Sequence, residues 1–499
     1  MAQAMTGRGA APPRTTCITS NENNTRSVLA RIARWKSCCH EVRLDLLHDL
    51  PEDLGLFTSG RAPIILCCRP AREGGGFRGT EKQRVDILAR AIEARPAFVD
   101  IELGTSPARL ARLRGLAGGK TKIILSTHHF HGIPRNIRGL AGKMNGQPAD
   151  VRKLAFAIRD PSELTRVADV ARMIRKPKII IAMGTAGMLT RIAPERFGSM
   201  LTYAAPDRSL CTAGGQLTVD ELLRYRKQRG RRPALLGIVG NSGVLKSLGL
   251  KVYNHLLRGR SGPHALYVPV VTTSLKQTIA SLTLLGFKGV SVTQPHKREA
   301  FLLCHGFSPD AAKIQAVNTL VFRRGKILGF NTDVYAARVI FKKIPVKKGK
   351  HLRVALVGAG GAAAAVAAAL AERGWECHVY NRTLGRGREL ARKQGMKALP
   401  LKNLEKGGPG FDMLINCTSV GMDSSACIVR SGRILKGKIV LDLVSHPAET
   451  ELLRKAKRAG GLPISGTYFW SLQGREQMKL LVSRTFRLKT IENIVKKYE

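Results

Sequence analysis

The predicted fold is α/β throughout, on three observations. Over residues 16–205, short apolar runs alternate with segments whose apolar residues recur every three or four positions. A basic break, LLRYRKQRGRRP, is followed by a fresh apolar run, ALLGIVG. Further on, HLRVALVGAGGAAAAVAAALAERGWECHVYNRT reads as strand, glycine turn, Ala-rich helix and second strand. The alternation argues for a closed (β/α)8 barrel of the TIM type, and the last unit for a Rossmann-type nucleotide-binding sheet within a second, two-lobed α/β module.

Composition sets the outer limits. A chain of 499 residues with 44% hydrophobic and 24% charged residues is too long for one small core and too apolar for disorder. No apolar stretch approaches the roughly 20 residues of a membrane span. The opening MAQAMTGRGAAPPRTT lacks the apolar run of a secretory signal, so a cytoplasmic location is expected, with a plastid as the alternative. The ten cysteines contain no C-x-x-C, which predicts reduced core thiols and neither a zinc site nor a disulfide framework. The formal charge of +48 is spread along the chain without a stacking aromatic series. It is read as a basic surface that favours anionic small molecules, with nucleic acid held by non-specific attraction at most.

In the first half the strand-like runs are TTCIT, EVRLDLL, PIILCCR, AFVDIEL, TKIILSTH, DVRKLAFAI, KIIIAMG and SMLTYAA. Helical patterns such as TRSVLARIARWKS, EKQRVDILARAIEA and SELTRVADVARMIR lie between them. Barrels of this type keep their chemistry at the carboxyl ends of the strands. The residues to question are therefore Glu41, Arg43, Arg69, Glu73, Glu102, His128, Lys153 and Arg191. A lysine inside DVRKLAFAI must desolvate its ammonium, which lowers its pKa and makes it an amine nucleophile; the alternative is a lysine paired with a buried carboxylate. The neighbouring arginines suit a carboxylate-bearing substrate, and His128 could shuttle protons. In STHHFHG adjacent residues of a strand face opposite ways, so His128 and His129 cannot both look into the barrel. The spacing also lacks the acidic or cysteine partners of a metal site, and no metal is expected.

EVRLD, CRPAREGG, VDIEL, STHHF, ADVRKLA, MGTAGMLTRI, FGSMLTYAA and TAGGQ resemble, in order, the motifs of type I 3-dehydroquinate dehydratases. The resemblance covers roughly residues 15–220. It implies that Lys153 forms an imine with the substrate ketone, that His128 moves the protons and that Glu73 supports the histidine. Glu41, Arg43, Arg69, Arg191, Thr212 and Gln216 would hold the substrate's hydroxyls and carboxylate. The chain departs from the family at His129, where an acid or amide is usual, and at Thr212 to Gln216, where Ser-Ala-Pro-Gly-Gln is usual.

In the second half, Gly358, Gly360 and Ala363 fit G-x-G-x-x-G/A between a strand and a helix, which places a pyrophosphate on the helix N-terminus. The turn residues Gly358, Ala359, Gly360, Gly361 and Ala362 would cradle it. The second strand ends in Asn381, Arg382 and Thr383, without the acid that grips a free ribose, so NADP(H) is the expected cofactor. Lys297 and Asp333, each after a predicted strand, could form a proton-exchanging pair. With GVSVTQPHK, IQAVNTLV, GFNTD, INCTSVGM, LDLVSHPAET and SLQGREQ, this half resembles shikimate dehydrogenase over roughly residues 233–499. By that resemblance Lys297 and Asp333 are catalytic, and Ser247, Thr293, Asn318 and Gln473 contact shikimate. Leu443 and Gly466 lie on the nicotinamide side. Gly249 and Ser445 stand at substrate positions where the family has serine and tyrosine, and Phe469 stands in place of methionine.

The expected layout is a dehydratase barrel at 1–225, a substrate-binding lobe at 233–345, an NADP-binding lobe at 346–470 and carboxyl-terminal helices at 471–499. The combination resembles the bifunctional enzymes of plants and some bacteria, the chlamydial kind among them. It implies conversion of 3-dehydroquinate through 3-dehydroshikimate to shikimate. The competing readings are an active barrel with a quinate-directed or impaired second half, and a basic metabolite sensor that binds nucleic acid.

Overall fold

A computed structural model describes residues 15–175, 177–226, 233–258, 263–346, 351–405 and 409–499. Most of the expected basic linker (227–232), the first fourteen residues and the end of KKIPVKKGK lie outside the described residues. The chain divides into two compact units, Met1–Arg232 with Val270–Leu285, and Pro233–Pro269 with Gly286–Glu499.

The first unit is built on an 8-stranded parallel sheet: β1 (Thr16–Ile18), β2 (Cys39–Arg43), β3 (Ile64–Cys67), β4 (Phe98–Glu102), β5 (Lys122–His129), β6 (Val151–Ala157), β7 (Lys178–Met183) and β8 (Thr202–Ala204). Each strand from β1 to β6 pairs with the next in sequence, and β1 also pairs with β8 through Cys17↔Tyr203. The ring closes between β7 and β8 through the bridge Lys178↔Ser199 and the Met200 amide, which donates to the Lys178 carbonyl at 2.8 Å. The interior floor is a buried cluster that includes Cys17, Cys39, Ile65, Ile124, Val151, Ala155, Ile179 and Tyr203. Since side chains alternate along a strand, Val151 and Ala155 on the inner face of β6 put Lys153 there too. Outer helices begin at defined caps. Thr80 and Gln83 form a reciprocal capping box for Glu81–Glu93, and Asn24 caps Thr25–Arg34. The segment Val270–Leu285, assigned by its sequence position to the next lobe, packs with this unit. Thr272 and Thr278 donate their hydroxyls to the Asp160 carboxylate at 2.6 and 3.1 Å.

The second unit holds two sheets. The first is mixed, with β9 (Ala234–Gly240), β10 (Ala265–Val271), β11 (Phe287–Val292), β12 (Gly306–Phe307), β13 (Thr319–Arg323) and β14 (Lys326–Phe330) in the order β10-β9-β11-β13-β14-β12. The second is parallel, with β15 (Arg353–Val357), β16 (Glu376–Asn381), β17 (Lys397–Pro400), β18 (Met413–Asn416), β19 (Ile439–Asp442) and β20 (Leu462–Ile464). Its order, β17-β16-β15-β18-β19-β20, reverses direction at β15, and the doubly wound topology puts its ligand crevice at that switch point. The Ala-rich helix Gly361–Ala371 packs so closely on this sheet that Ala363, Ala365, Ala367 and Ala369 join its buried core; larger side chains would hold the helix off.

Candidate active sites

In the barrel, Lys153 is 2% exposed, and its Nζ donates to Glu41 Oε1 at 2.8 Å and to Asp100 Oδ2 at 2.7 Å. The Tyr203 ring lies beneath it, with the ring centroid 4.6 Å from Nζ. The expected fall in the Lys153 pKa is corrected here. Burial does pull the ammonium down, but Asp100 and Glu41 together outweigh it and the net shift is upward. Burial likewise opposes ionisation of Glu41, yet Lys153, Arg69 and Arg43 hold that carboxyl well below the usual range. Resting Lys153 is thus an ammonium locked between two carboxylates.

His128 lies on the inner face of β5. Its Nδ1 is 3.0 Å from Glu73 Oε2, which also accepts the His128 amide at 3.1 Å. Burial, then Arg69, Lys153 and Arg43, push the imidazole well below its ordinary pKa, so it is neutral. Burial pushes Glu73 up to about 7, with Asp100 adding to the shift. A carboxylate facing Nδ1 selects the tautomer with the proton there and leaves a lone pair on Nε2. His129 is on the other face, stacked on Phe156 at 5.6 Å, and His131 is exposed.

Arg43 forms two bonds to Asp45, at 2.8 and 2.6 Å, and Asp45 also accepts the amides of Arg69 and Gly76. The Arg69 guanidinium lies 3.9 Å from Glu41. Arg191, on the short helix Met188–Ile192, is 3% exposed, and among the described residues no carboxylate pairs with it. Burial lowers its pKa to about 10, still leaving a cation at neutral pH. Gln216 accepts from the Thr212 amide at 2.7 Å and the Thr212 hydroxyl at 3.1 Å. Their loop rests on the end of β7, where Gly215 (φ 70°) approaches so closely that a Cβ would sit 2.3 Å from the Gly184 carbonyl.

Asp100 and Tyr203 were not singled out from the sequence. Asp100 shares the inner face of β4 with Glu102, two residues on, and period-two alternation is the signal that could have found it. Glu102 itself is engaged by Arg84 at 2.5 Å, from the helix Glu81–Glu93.

The second site is a cleft of about 940 Å³ within the second unit. Lys297 Nζ donates to Asp333 Oδ2 at 2.7 Å. Asp333 sits in the first turn of the helix Thr332–Lys343, capped by the Asn331 side chain. Asn318 accepts the Thr332 amide and donates to the Thr332 hydroxyl, both at 3.0 Å, and that hydroxyl donates to Gln473 at 3.0 Å. Ser247, Gly249, Thr293, Asn318, Gln473, Leu443 and Gly466 all line the cleft. Ser445 does not: the Val444 amide is tied to Asp442 Oδ1 at 3.1 Å, and the lining passes through Leu443 and Val444. Tyr253, Tyr267 and Ser291, unassigned from sequence, also line it.

At the nucleotide end, Gly358, Ala359, Gly360, Gly361 and Ala362 line the cleft. Gly358 adopts φ 113°, a conformation that favours glycine, and a Cβ there would meet the Cys417 backbone at a tight 3.3 Å. Asn381 lines the cleft, whereas Arg382 and Thr383 are exposed and outside its lining; Arg386, in the first turn of the helix Leu384–Gln394, lines it instead. A helix N-terminus over a glycine turn, with two arginines and no acid at the end of β16, fits a 2′-phosphorylated dinucleotide. Among the described residues no group of His, Cys, Asp and Glu could hold a metal ion, and no helix is long and apolar enough to cross a membrane.

Fold and sites together define a two-enzyme chain, an α/β-barrel lyase joined to a nucleotide-dependent dehydrogenase. The chain matches type I 3-dehydroquinase over residues 15–233, the shikimate dehydrogenase substrate-binding domain over 238–320 and shikimate/quinate 5-dehydrogenase over 340–438. It is 30% identical over 482 residues to the chloroplastic bifunctional 3-dehydroquinate dehydratase/shikimate dehydrogenase of Arabidopsis thaliana, covering 92% of this chain and 80% of that one. It is also 30% identical over 432 residues to the shikimate biosynthesis protein AroDE of Chlamydia pneumoniae, covering 85% and 86%. A shikimate dehydrogenase crystallised with NADP+ superposes with a TM-score of 0.50 at 28% identity, over 54% of this chain and 97% of that one. The chain belongs to the bifunctional 3-dehydroquinate dehydratase/shikimate dehydrogenase family, enzymes of the shikimate pathway.

Proposed function

We propose that the barrel dehydrates 3-dehydroquinate through an imine on Lys153, and that the second unit reduces the product, 3-dehydroshikimate, to shikimate with NADPH. The observation that carries the first step is the buried lysine between Glu41 and Asp100, on the same barrel face as the His128–Glu73 pair. The Lys153 ammonium must release one proton before it attacks the ketone. His128 Nε2, backed by a Glu73 carboxyl poised near neutrality, is the relay within the site. The same imidazole then takes the proton beside the imine carbon and returns it to the departing hydroxyl, general acid–base work worth typically 10²–10⁴-fold. Arg191 takes the substrate carboxylate, since a buried guanidinium without a partner is relieved by an anion. Glu41, Arg43, Arg69, Thr212 and Gln216 surround the ring hydroxyls.

In the second unit, NADPH when bound supplies the hydride. Gly358 to Ala362 hold the pyrophosphate by backbone amides, Asn381, Arg382, Thr383 and Arg386 flank the adenosine phosphate, and Leu443 and Gly466 back the nicotinamide. Lys297 Nζ donates to the ketone oxygen, and the Lys297–Asp333 pair delivers its proton as the alcohol forms. Ser247, Asn318, Thr293 and Gln473 hold the ring. We assign both reactions to the cytoplasm, in keeping with cysteines that are all free thiols.

The test is a coupled assay on the full chain. With 3-dehydroquinate and NADPH, shikimate is expected. Lys153→Ala should stop its formation while leaving NADP+-dependent shikimate oxidation intact, and Lys297→Ala should stop both shikimate formation and shikimate oxidation while leaving dehydration of 3-dehydroquinate intact. Shikimate formation by either variant at the unsubstituted rate would reject the assignment of that half.

A further inference from the structure

Tyr203 contributes to the floor under Lys153 from β8, and its hydroxyl is spare. The residue is 4% exposed, its ring face carries the ammonium, and no protein group among the described residues bonds its phenolic oxygen. A phenylalanine would fill the same space without burying an unpaired hydroxyl, a burden of the order that mutational series assign to an unmade hydrogen bond. The other half of the pattern is Asp100, whose Oδ2 takes a Lys153 proton while its Oδ1 has no donor.

The chemistry on Lys153 explains why a spare donor belongs there. The ammonium has three N–H bonds, of which one goes to Glu41 and one to Asp100. Imine formation makes the C–N bond and breaks the carbonyl C–O bond: ammonium plus ketone gives iminium plus water, and charge is conserved. Two nitrogen-bound protons leave with the oxygen, one of them by way of the relay base, and the iminium keeps a single N–H. One of the two buried carboxylates therefore loses its donor at the moment the covalent bond forms. Resting on the imine reading, we propose that Tyr203 is a positioning residue for Lys153, whose ring seats the ammonium and whose hydroxyl takes over as donor to the carboxylate that Lys153 releases. Burial, with Glu41 nearby, holds the phenol well above its usual pKa, so it stays protonated and able to donate. Ser126, level with Lys153 on the adjoining strand, also has an unbonded hydroxyl, but only Tyr203 has its ring face against Nζ.

The experiment compares the full chain with Tyr203→Phe and Ser126→Ala. 3-Dehydroquinate is mixed with each, the imine is quenched with borohydride at successive times, and thermal stability is recorded in parallel. Tyr203→Phe is expected to slow imine formation about ten- to a hundredfold, the range for one hydrogen bond to a charged group, with substrate affinity unchanged and stability equal or higher. Trapping at the unsubstituted rate, slowing by Ser126→Ala alone, or rate and stability falling together would overturn the proposal. Absence of any lysine adduct in the unsubstituted chain would instead reject the imine reading, and this inference with it.

Discussion

The Nδ1 atom of His128 lies 3.0 Å from Glu73 Oε2, and the same oxygen accepts the His128 amide at 3.1 Å. One carboxylate thereby fixes ring position and tautomer together, while His129 is turned away onto Phe156. Replacing His128 with alanine is expected to lower dehydratase kcat by about 10²–10⁴. Replacing His129 should lower it less than about tenfold, as a lost packing contact would. Steady-state kinetics on the two variants checks this, and the reverse ranking would place the working imidazole on the wrong face of β5.

The pH dependence follows from Glu73, which burial pushes up to about 7. Protonated Glu73 loses the charge that makes it a strong acceptor for Nδ1–H and that stabilises an imidazolium, so dehydratase kcat/KM should rise with pH and level off above about 7. Glu73→Gln should lose that limb and stay low throughout. Stability runs the other way. Because the folded pKa is raised, the folded chain holds the extra proton between the ordinary carboxylate range and about 7. Glu73's contribution is full below that window and is lost as pH rises through 7. His128, whose pKa is depressed, acts with the opposite sign, its contribution lost as pH falls through the ordinary imidazole range. The difference in urea midpoint between the full chain and Glu73→Gln, at pH 5 and pH 8, isolates the carboxyl.

Arg191 is buried and, among the described residues, has no ionic partner. Arg191→Met should raise the KM for 3-dehydroquinate about ten- to a hundredfold, the range for a charge-assisted bond. The barrel should gain rather than lose stability, by about 1–3 kcal/mol, since an unpaired buried cation is removed. Calorimetry beside initial-rate kinetics separates the two effects; an unchanged KM would show that the substrate carboxylate lies elsewhere.

For the dinucleotide, Arg386 lines the cleft, while Arg382 is exposed and follows Asn381, which does line it. Arg386→Ala should raise the KM for NADPH about tenfold or more with little change in the KM for NADH, and Arg382→Ala should do so more weakly. Equal loss with both cofactors would mean that the two arginines do not read the 2′-phosphate.

The sequence carried the architecture well where the physics is local. Short apolar runs separated by helical patterns located the barrel strands. EVRLDLL overran, because the strand stops at Arg43 and Leu44–Leu46 turns as a 3-10 helix around Asp45. The glycine turn and its helix were legible from the glycine spacing together with the apolar run before it and the Ala-rich run after it. What the sequence could not supply was the contest between distant groups. Asp100 and Glu102 face the same way, and only folding brings Arg84 to Glu102 and leaves Asp100 for Lys153. The sign of the Lys153 shift turned on that contest, since burial alone would have lowered it. Ser445 falls outside the cleft lining, just past the turn after β19 in which the Val444 amide bonds to Asp442 two residues back.

The central claim is the imine at Lys153. Treating the full chain with 3-dehydroquinate and borohydride, then mapping the modified peptide by mass spectrometry, tests it directly. The account predicts a single stable adduct on Lys153, abolished by Lys153→Ala; an adduct on another lysine, or none while dehydration proceeds, would contradict it.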